Sequence, residues 1–302
     1  MSISISWGYL SIENMSLWMG YKYLLYKIKL WRRIFDLEPR YLVTLGKKTY
    51  FFAQNNFYVV TGGTVVNYRC PKNLTRPLNF EYSESLRMFV CGEYLSNSER
   101  HSISIWGVTI QGSFQRLYTF EEGSIRHLHC VKEYNGTLWF ASGDNNGECL
   151  IGFIKGDFRC IVMNENQLSR TVRFHFYQGK ILFATDIPDD VNAIILLDPN
   201  TGKYQKLADL RASIFSSRLE ENELIMGESN EPSICNDRSY VSLWSYDLRS
   251  NALSFLESRK ANKMSIYLHK FVGYAECRVY EQKRDGLPNE SDMGIQWVNC
   301  HD

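Results

Sequence analysis

The chain has 302 residues, and 34 Lys+Arg against 33 Asp+Glu leave a net charge of +1. That balance argues against a general nucleic-acid binder, which carries a basic excess. A hydrophobic content of 44% with 22% charged residues excludes a mainly disordered chain, and 7 Pro with 20 Gly exclude a collagen-like or linker-rich one.

Residues 1–14 show neither a basic n-region nor a small-residue cleavage site, so no export signal is expected there, and Met15 is an alternative start. Residues 16–36 read SLWMGYKYLLYKIKLWRRIFD. Leu17, Tyr21, Leu24, Ile28, Trp31 and Phe35 step by three or four, which predicts an amphipathic helix. Its charges before Asp36 are all positive, so it suits an anionic membrane surface, or it packs its apolar stripe on the body of the protein. No run of 18 apolar residues predicts a membrane-spanning helix. The chain therefore divides into an N-terminal segment, 1–40, and a body, 41–302.

From Tyr41 onward the period becomes that of strands, with Val-, Ile-, Phe-, Tyr- and Trp-rich runs broken by Gly, Asn and Asp turns. Four runs share one phrase, a strand followed by small residues and an acid: Met-Phe-Val-Cys-Gly-Glu93, Leu-Trp-Phe-Ala-Ser-Gly-Asp144, Ile-Leu-Phe-Ala-Thr-Asp186 and Leu-Ile-Met-Gly-Glu228. Each is followed by another apolar strand, beginning at Ile103, Cys149, Ala193 and Val241, then a turn and a last strand. The turn is clearest in Asp198-Pro-Asn-Thr-Gly-Lys203. Four strands recurring about every 42–51 residues are the signature of a β-propeller, so the fold class is all-β. Four units are visible, and the remaining strands favour six blades, with five as the alternative. The run Ile295-Gln-Trp-Val-Asn299 is placed to pair with N-terminal strands and close the ring. The eight cysteines form no C-x-x-C pair and sit mostly in apolar runs, so reduced, buried thiols are expected.

The densest polar cluster is Arg126-His-Leu-His129. On a strand, His127 and His129 share a face roughly 7 Å apart. The first strand of a propeller blade lines the channel and the end of the second lies at its mouth, so His127, His129, Asp144 and Glu148 can converge. The next blades offer Arg173, His175 and Asp186, then Arg218 and Glu228. Three chemistries compete. Paired carboxylates, drawn from Glu93, Asp144, Asp186 and Glu228, suit glycoside hydrolysis. Imidazoles with carboxylates suit a divalent metal. Acids repeated at one blade position also suit structural hydrogen bonds and pairing with an arginine of the next blade. Trp106, Trp139, Trp244, Tyr94 and Tyr246 offer sugar-stacking surfaces, although Trp139 and Trp244 fit better as filling between blades. No phosphate loop, dinucleotide fingerprint or nucleophile elbow is present.

In order, Arg126-His-Leu-His129, Thr137-Leu-Trp-Phe-Ala-Ser-Gly-Asp144, Glu148, Arg173 and Phe183-Ala-Thr-Asp186 resemble a bacterial propeller family described as glycosidase-like or BNR-repeat-like and found with capsule and exopolysaccharide genes. The resemblance spans residues 80–257 and implies a role on a sugar polymer. No Ser-x-Asp-x-Gly-x-Thr-Trp box is present, which argues against a sialidase. The combined expectation is a cytoplasmic protein, peripheral on the inner face of the membrane, that binds or cleaves a surface polysaccharide or its precursor as a glycoside hydrolase or polysaccharide lyase. Asp144 and Asp186 would serve as acid/base carboxylates with His129 beside them as a catalytic group. His127 and His129 would orient substrate or hold a divalent metal. Arg126 and Arg173 would grip an anionic sugar, with Glu148 and Glu228 as further substrate contacts. The alternative is a non-catalytic scaffold for glycosyltransferases at the membrane.

Overall fold

The computed structural model describes residues 41–229 apart from positions 54, 63, 76 and 189, then residues 240–260, and the strands Ala275–Tyr280 and Gly294–Val298. The helix expected over 16–36 lies outside the described residues. No described helix is long and apolar enough to cross a membrane.

The described chain is almost entirely strand, and five sheets form a five-bladed β-propeller. Blade 1 is β5 (Glu81–Ser83), β6 (Met88–Gly92), β7 (Ile103–Thr109) and β8 (Phe114–Phe120). Blade 2 is β9 (Leu128–Tyr134), β10 (Thr137–Ser142), β11 (Ile151–Lys155) and β12 (Phe158–Met163). Blade 3 is β13 (Phe174–Tyr177), β14 (Lys180–Ala184), β15 (Asn192–Leu197) and β16 (Tyr204–Leu210). Blade 4 is β17 (Ile214–Glu220), β18 (Glu223–Glu228), β19 (Tyr240–Asp247) and β20 (Ala252–Lys260). Each is an antiparallel meander.

Blade 5 joins the two ends of the chain. Strands β1 (Tyr41–Leu45), β2 (Lys48–Ala53), β3 (Asn56–Thr61) and β4 (Thr64–Arg69) form its meander. Strand β21 (Ala275–Tyr280) pairs in parallel with β1, and β22 (Gly294–Val298) pairs antiparallel with β21. The C-terminal strands thus extend the N-terminal sheet instead of building a separate blade. That is why the count is five, the second of the two that the strand recurrence allows.

The middle strands of a blade are covered on both faces by neighbouring blades, so they read as continuous apolar runs. Residues 89–92 and 181–184 are all buried. Outer strands face solvent, and β8 and β16 are correspondingly polar. The core lies between blades. Tyr50 and Phe57 meet Phe80 and Phe89, and Val90 and Phe120 meet Leu128 and Phe140. Trp139 and Ile151 meet Phe174 and Phe183, and Leu182 and Ile194 meet Leu224 and Tyr246. Stacking blades into a ring buries these faces without a separate central core.

The strands run alternately, so the start of each first strand and the end of each second strand lie on one face of the ring. Asn135-Gly136 and Gln178-Gly179 make the opposite turns, with φ values of 50, 73, 49 and 74° that suit a tight hairpin.

Candidate metal centre

The site forms where β9 begins and β10 ends. His127 immediately precedes β9 and His129 is its second residue. Leu128 pairs with Ser142 across a bulge. Gly143 then adopts φ 139°, and a Cβ there would lie 2.8 Å from the Cys149 Cα. Only glycine fits so tight a path, and that path turns Asp144 back over the two histidines. Asp144 Oδ2 is 3.2 Å from His127 Nε2, and Oδ1 is 3.3 Å from His129 Nε2. The two Nε2 atoms are 3.1 Å apart. The imidazoles are 3% and 2% exposed and the Asp144 side chain 20%, so the cluster opens to solvent on the carboxylate side.

Neighbouring blades fix both rings. His127 Nδ1 lies 2.9 Å from the Leu95 carbonyl of blade 1, and His129 Nδ1 lies 3.2 Å from the Thr171 carbonyl at the entry to blade 3. A carbonyl only accepts, so each Nδ1 carries the proton. With the proton on Nδ1, Nε2 is the ring atom left to act as a ligand, and both Nε2 atoms converge with a carboxylate. Burial drives the His129 pKa down to about 4, so this ring is neutral at physiological pH. Three such atoms facing one another offer a ligand set for a cation. Their 3.1–3.3 Å separations match the edges of a coordination shell, since tetrahedral ligands at about 2.1 Å from an ion are about 3.4 Å apart. A carbonyl fixing the remote imidazole nitrogen is the usual outer support of a metal-binding histidine. His127, His129 and Asp144 therefore fit a divalent cation.

Around this centre, Arg126 Nη1 donates to Asp144 Oδ2 at 3.0 Å. Arg170 Nη2 lies 3.4 Å from Asp144 Oδ1 and 3.2 Å from Asp186 Oδ2, so it ties two carboxylates together. Gln167 Nε2 donates to the Asp144 carbonyl at 3.0 Å, and Arg100 Nε donates to Glu148 Oε1 at 2.7 Å. The Tyr94 ring lies 4.3 Å, centroid to centroid, from His127. Burial pushes the nearby Cys149 thiol up to about 11, which makes it inert at neutral pH.

Among the residues expected from sequence, Arg126, His127, His129 and Asp144 come together. Glu148 stands beside them, and Asp186 is linked through Arg170. Asp144 faces both imidazole Nε2 atoms, a place that suits a ligand better than an acid/base carboxylate. Asp186 is 1% exposed and sits behind Arg170, which suits positioning better than contact with substrate. Arg173 is buried at the start of β13, close enough to Cys130 to act on its thiol, and the guanidinium on the two aspartates is that of Arg170. A regularity of spacing points to Arg170. Arg126, Arg170 and Arg211 each precede the acid they bind, by 18, 16 and 17 residues. Each of these arginines thus binds its own blade's acid, and Arg170 also reaches Asp144 of the preceding blade, as an acid paired with an arginine of the next blade would.

Glu228 lies in a different setting. Its carboxylate accepts from Ser242 N, Trp244 Nε1 and Arg211 Nε, each at 2.8 Å. Glu93 repeats the arrangement with Ser104 N and Trp106 Nε1, both at 2.9 Å. Trp139 packs between blades against Phe153 and Phe176. Trp106 and Tyr246 are buried as well, which leaves Tyr94 as the aromatic ring at the centre. Cys70, Cys91, Cys130, Cys149 and Cys160 are free thiols, and all but Cys160 are buried.

No protein-family model matches the chain, and no curated protein matches it. Among solved structures, a protein from Agrobacterium tumefaciens provisionally named TolB is similar over 86% of this chain and 90% of its own, with a TM-score of 0.56 and 8% identity. A puromycin hydrolase variant is similar over 80% of this chain but only 37% of its own, with a TM-score of 0.50 and 11% identity. At such identities the similarity establishes the propeller fold alone.

Proposed function

We propose that this protein is a metal-dependent enzyme of the propeller fold that cleaves a saccharide, by hydrolysis or elimination, in the handling of a surface polysaccharide or its precursor. The observation that carries the reading is the convergence of two Nε2 atoms and a carboxylate, with both Nδ1 atoms at hydrogen-bond distance from carbonyls. His127, His129 and Asp144 would hold the cation. A divalent cation bound there would polarise a substrate oxygen or lower the pKa of a bound water. The chain's own groups do the rest. Leu95 and Thr171 keep the imidazoles in the ligating tautomer. Arg170, backed by Asp186, and Gln167 hold Asp144 in place. Tyr94 covers one side of His127. The sugar-polymer assignment rests on the resemblance of the ordered motifs to glycosidase-like propellers, and it would set the protein beside polysaccharide-assembly enzymes.

Elemental analysis of the purified chain, beside a His127→Ala/His129→Ala variant, tests the reading. The expected result is stoichiometric divalent metal in the parent and none in the variant, with new reducing ends released from an oligosaccharide substrate only by the metal-loaded parent. Absence of metal from both proteins, after incubation with Mn2+ or Zn2+, would overturn it and leave the scaffold alternative.

A further inference from the structure

We propose that the ligand of this centre is a polyhydroxylated anion, a uronate or a sugar phosphate, and that it binds as one coupled unit with the cation, Arg126 supplying its second anchor. This rests on the reading of His127, His129 and Asp144 as a divalent-cation site.

Charge balance comes first. Without a cation, the carboxylates Asp144 and Asp186 match the guanidiniums Arg126 and Arg170 that they touch, and Glu148 matches Arg100. A divalent cation added to these paired charges leaves two surplus positive charges. Surplus charge in a mostly desolvated setting is costly unless a counter-charge arrives. The cation itself therefore creates the demand for an anion.

Unpaired polar atoms give independent evidence. Arg126 Nε is buried and has no hydrogen-bond partner among the described residues. Arg126 Nη1 is already on Asp144, the side chain is 30% exposed, and the Nε edge of a guanidinium is suited to an oxyanion. Asp144 Oδ2 is shared between Arg126 and His127, so an anion on the cation lies within reach of that edge. Two acceptors are unpaired as well. Glu148 Oε2 and Gln167 Oε1 are buried without a donor among the described residues. Gln167 is tied to the Asp144 carbonyl and Glu148 is four residues beyond Asp144. A bare anion satisfies the orphan donor but repels the orphan acceptors. A ligand carrying both an anionic group and hydroxyls satisfies all three, because hydroxyls donate to Glu148 and Gln167 while the anion takes the cation and Arg126.

The experiment is a calorimetric titration of the chelator-stripped full chain with Mn2+, alone and in the presence of glucuronate, a glucose phosphate, acetate or glucose. Linkage requires an anion that binds with the cation to tighten the cation's binding by the same factor. The expected result is Mn2+ affinity raised about tenfold or more by glucuronate or the glucose phosphate, less by acetate, and unchanged by glucose. Whichever of the first two gives the larger gain identifies the anionic group. In Arg126→Met the gain is lost while Mn2+ alone still binds, and Gln167→Leu brings glucuronate down toward acetate. Mn2+ binding with equal affinity in every arm would refute the anionic-ligand proposal and leave the cation site standing. Absence of Mn2+ binding in all arms would instead refute the reading on which the proposal rests.

Discussion

Glu228 closes the second strand of blade 4 and Glu93 directly follows that of blade 1, while Asp144 and Asp186 lie two residues past the second strand of blades 2 and 3, yet the two pairs do different work. The glutamates reach across to the third strand. Each accepts the backbone N–H of a serine and the indole N–H two residues later, in Ser104-Ile-Trp106 and Ser242-Leu-Trp244. In blades 2 and 3 the third strand has no tryptophan at this place, and the acid is one methylene shorter. Asn192 does the bracing in blade 3, accepting from Ile187 N and Thr185 Oγ1. Freed from that duty, Asp144 faces the histidines and Asp186 holds Arg170. A repeated acid is thus an ancillary brace in two blades and part of a chemical centre in the others, with the third strand deciding which.

Glu93→Ala and Glu228→Ala test the difference most strongly. Each leaves a backbone N–H and an indole N–H without an acceptor, at about 1–3 kcal/mol apiece, so about 3 kcal/mol in total is expected. In a domain of this size that lowers Tm by roughly 6–12 °C. The rise in Tm on adding Mn2+ should remain in both variants. Asp144→Asn should show the converse, with the Mn2+-dependent rise abolished. Thermal melts of chelated and Mn2+-loaded protein read both quantities. A Glu228→Ala protein that loses its metal response, or an Asp144→Asn protein that keeps it, would erase the distinction.

The glycines before the acids sharpen the same comparison. Gly143 has φ 139° and meets the Cys149 backbone, so Gly143→Ala strains the chain where nothing nearby can yield, and should cost about 2 kcal/mol. It also displaces Asp144, so Mn2+ affinity should fall about tenfold. Gly227, before Glu228, has ordinary backbone geometry, and an added Cβ meets the Ser216 hydroxyl, which can rotate away. Gly227→Ala should cost under about 1 kcal/mol and leave Mn2+ affinity unchanged. Urea unfolding and metal titration of the two variants check the pair, and equal effects at both glycines would contradict the assigned roles.

Much of this was legible in the strand pattern. The recurrence of strand, small residue and acid fixes the blades, because a middle strand covered on both faces must be apolar and the residue before the acid must clear the neighbouring strand. The joining of β21 and β22 to the N-terminal sheet was less legible, since two further strands read equally well as part of another blade. At the centre, the H-x-H pair stood out because it breaks the repeat, and Asp144 because it is the repeated acid of the same blade. Arg170 did not, because Arg173 sits before His175 in a pattern that imitates Arg126 before His127. Leu95 and Thr171 act through backbone carbonyls, which any side chain can supply, so no residue type marks them. The separation of Glu228 from Asp144 was present in the sequence as Ser-x-Trp, a pattern that becomes meaningful only once the third strand is known to lie beside the acid.

The smallest expected effect is a difference of slope with pH at the structural acid. Burial raises the Glu93 pKa above its usual value, against the lowering pull of Trp106, Ser104 and Arg116. An acid whose folded pKa lies above its unfolded one binds protons more readily in the folded state. Its contribution to stability is fully present below the unfolded pKa, about 4.3, and is lost as pH rises through the folded value. Glutamine at this position cannot titrate, so the destabilisation caused by Glu93→Gln should be larger at pH 4 than at pH 7. Urea unfolding of parent and variant across that interval measures the difference directly. A difference that instead grew toward neutral pH would mean that the hydrogen bonds from Trp106 and Ser104 and the charge of Arg116 outweigh burial at Glu93.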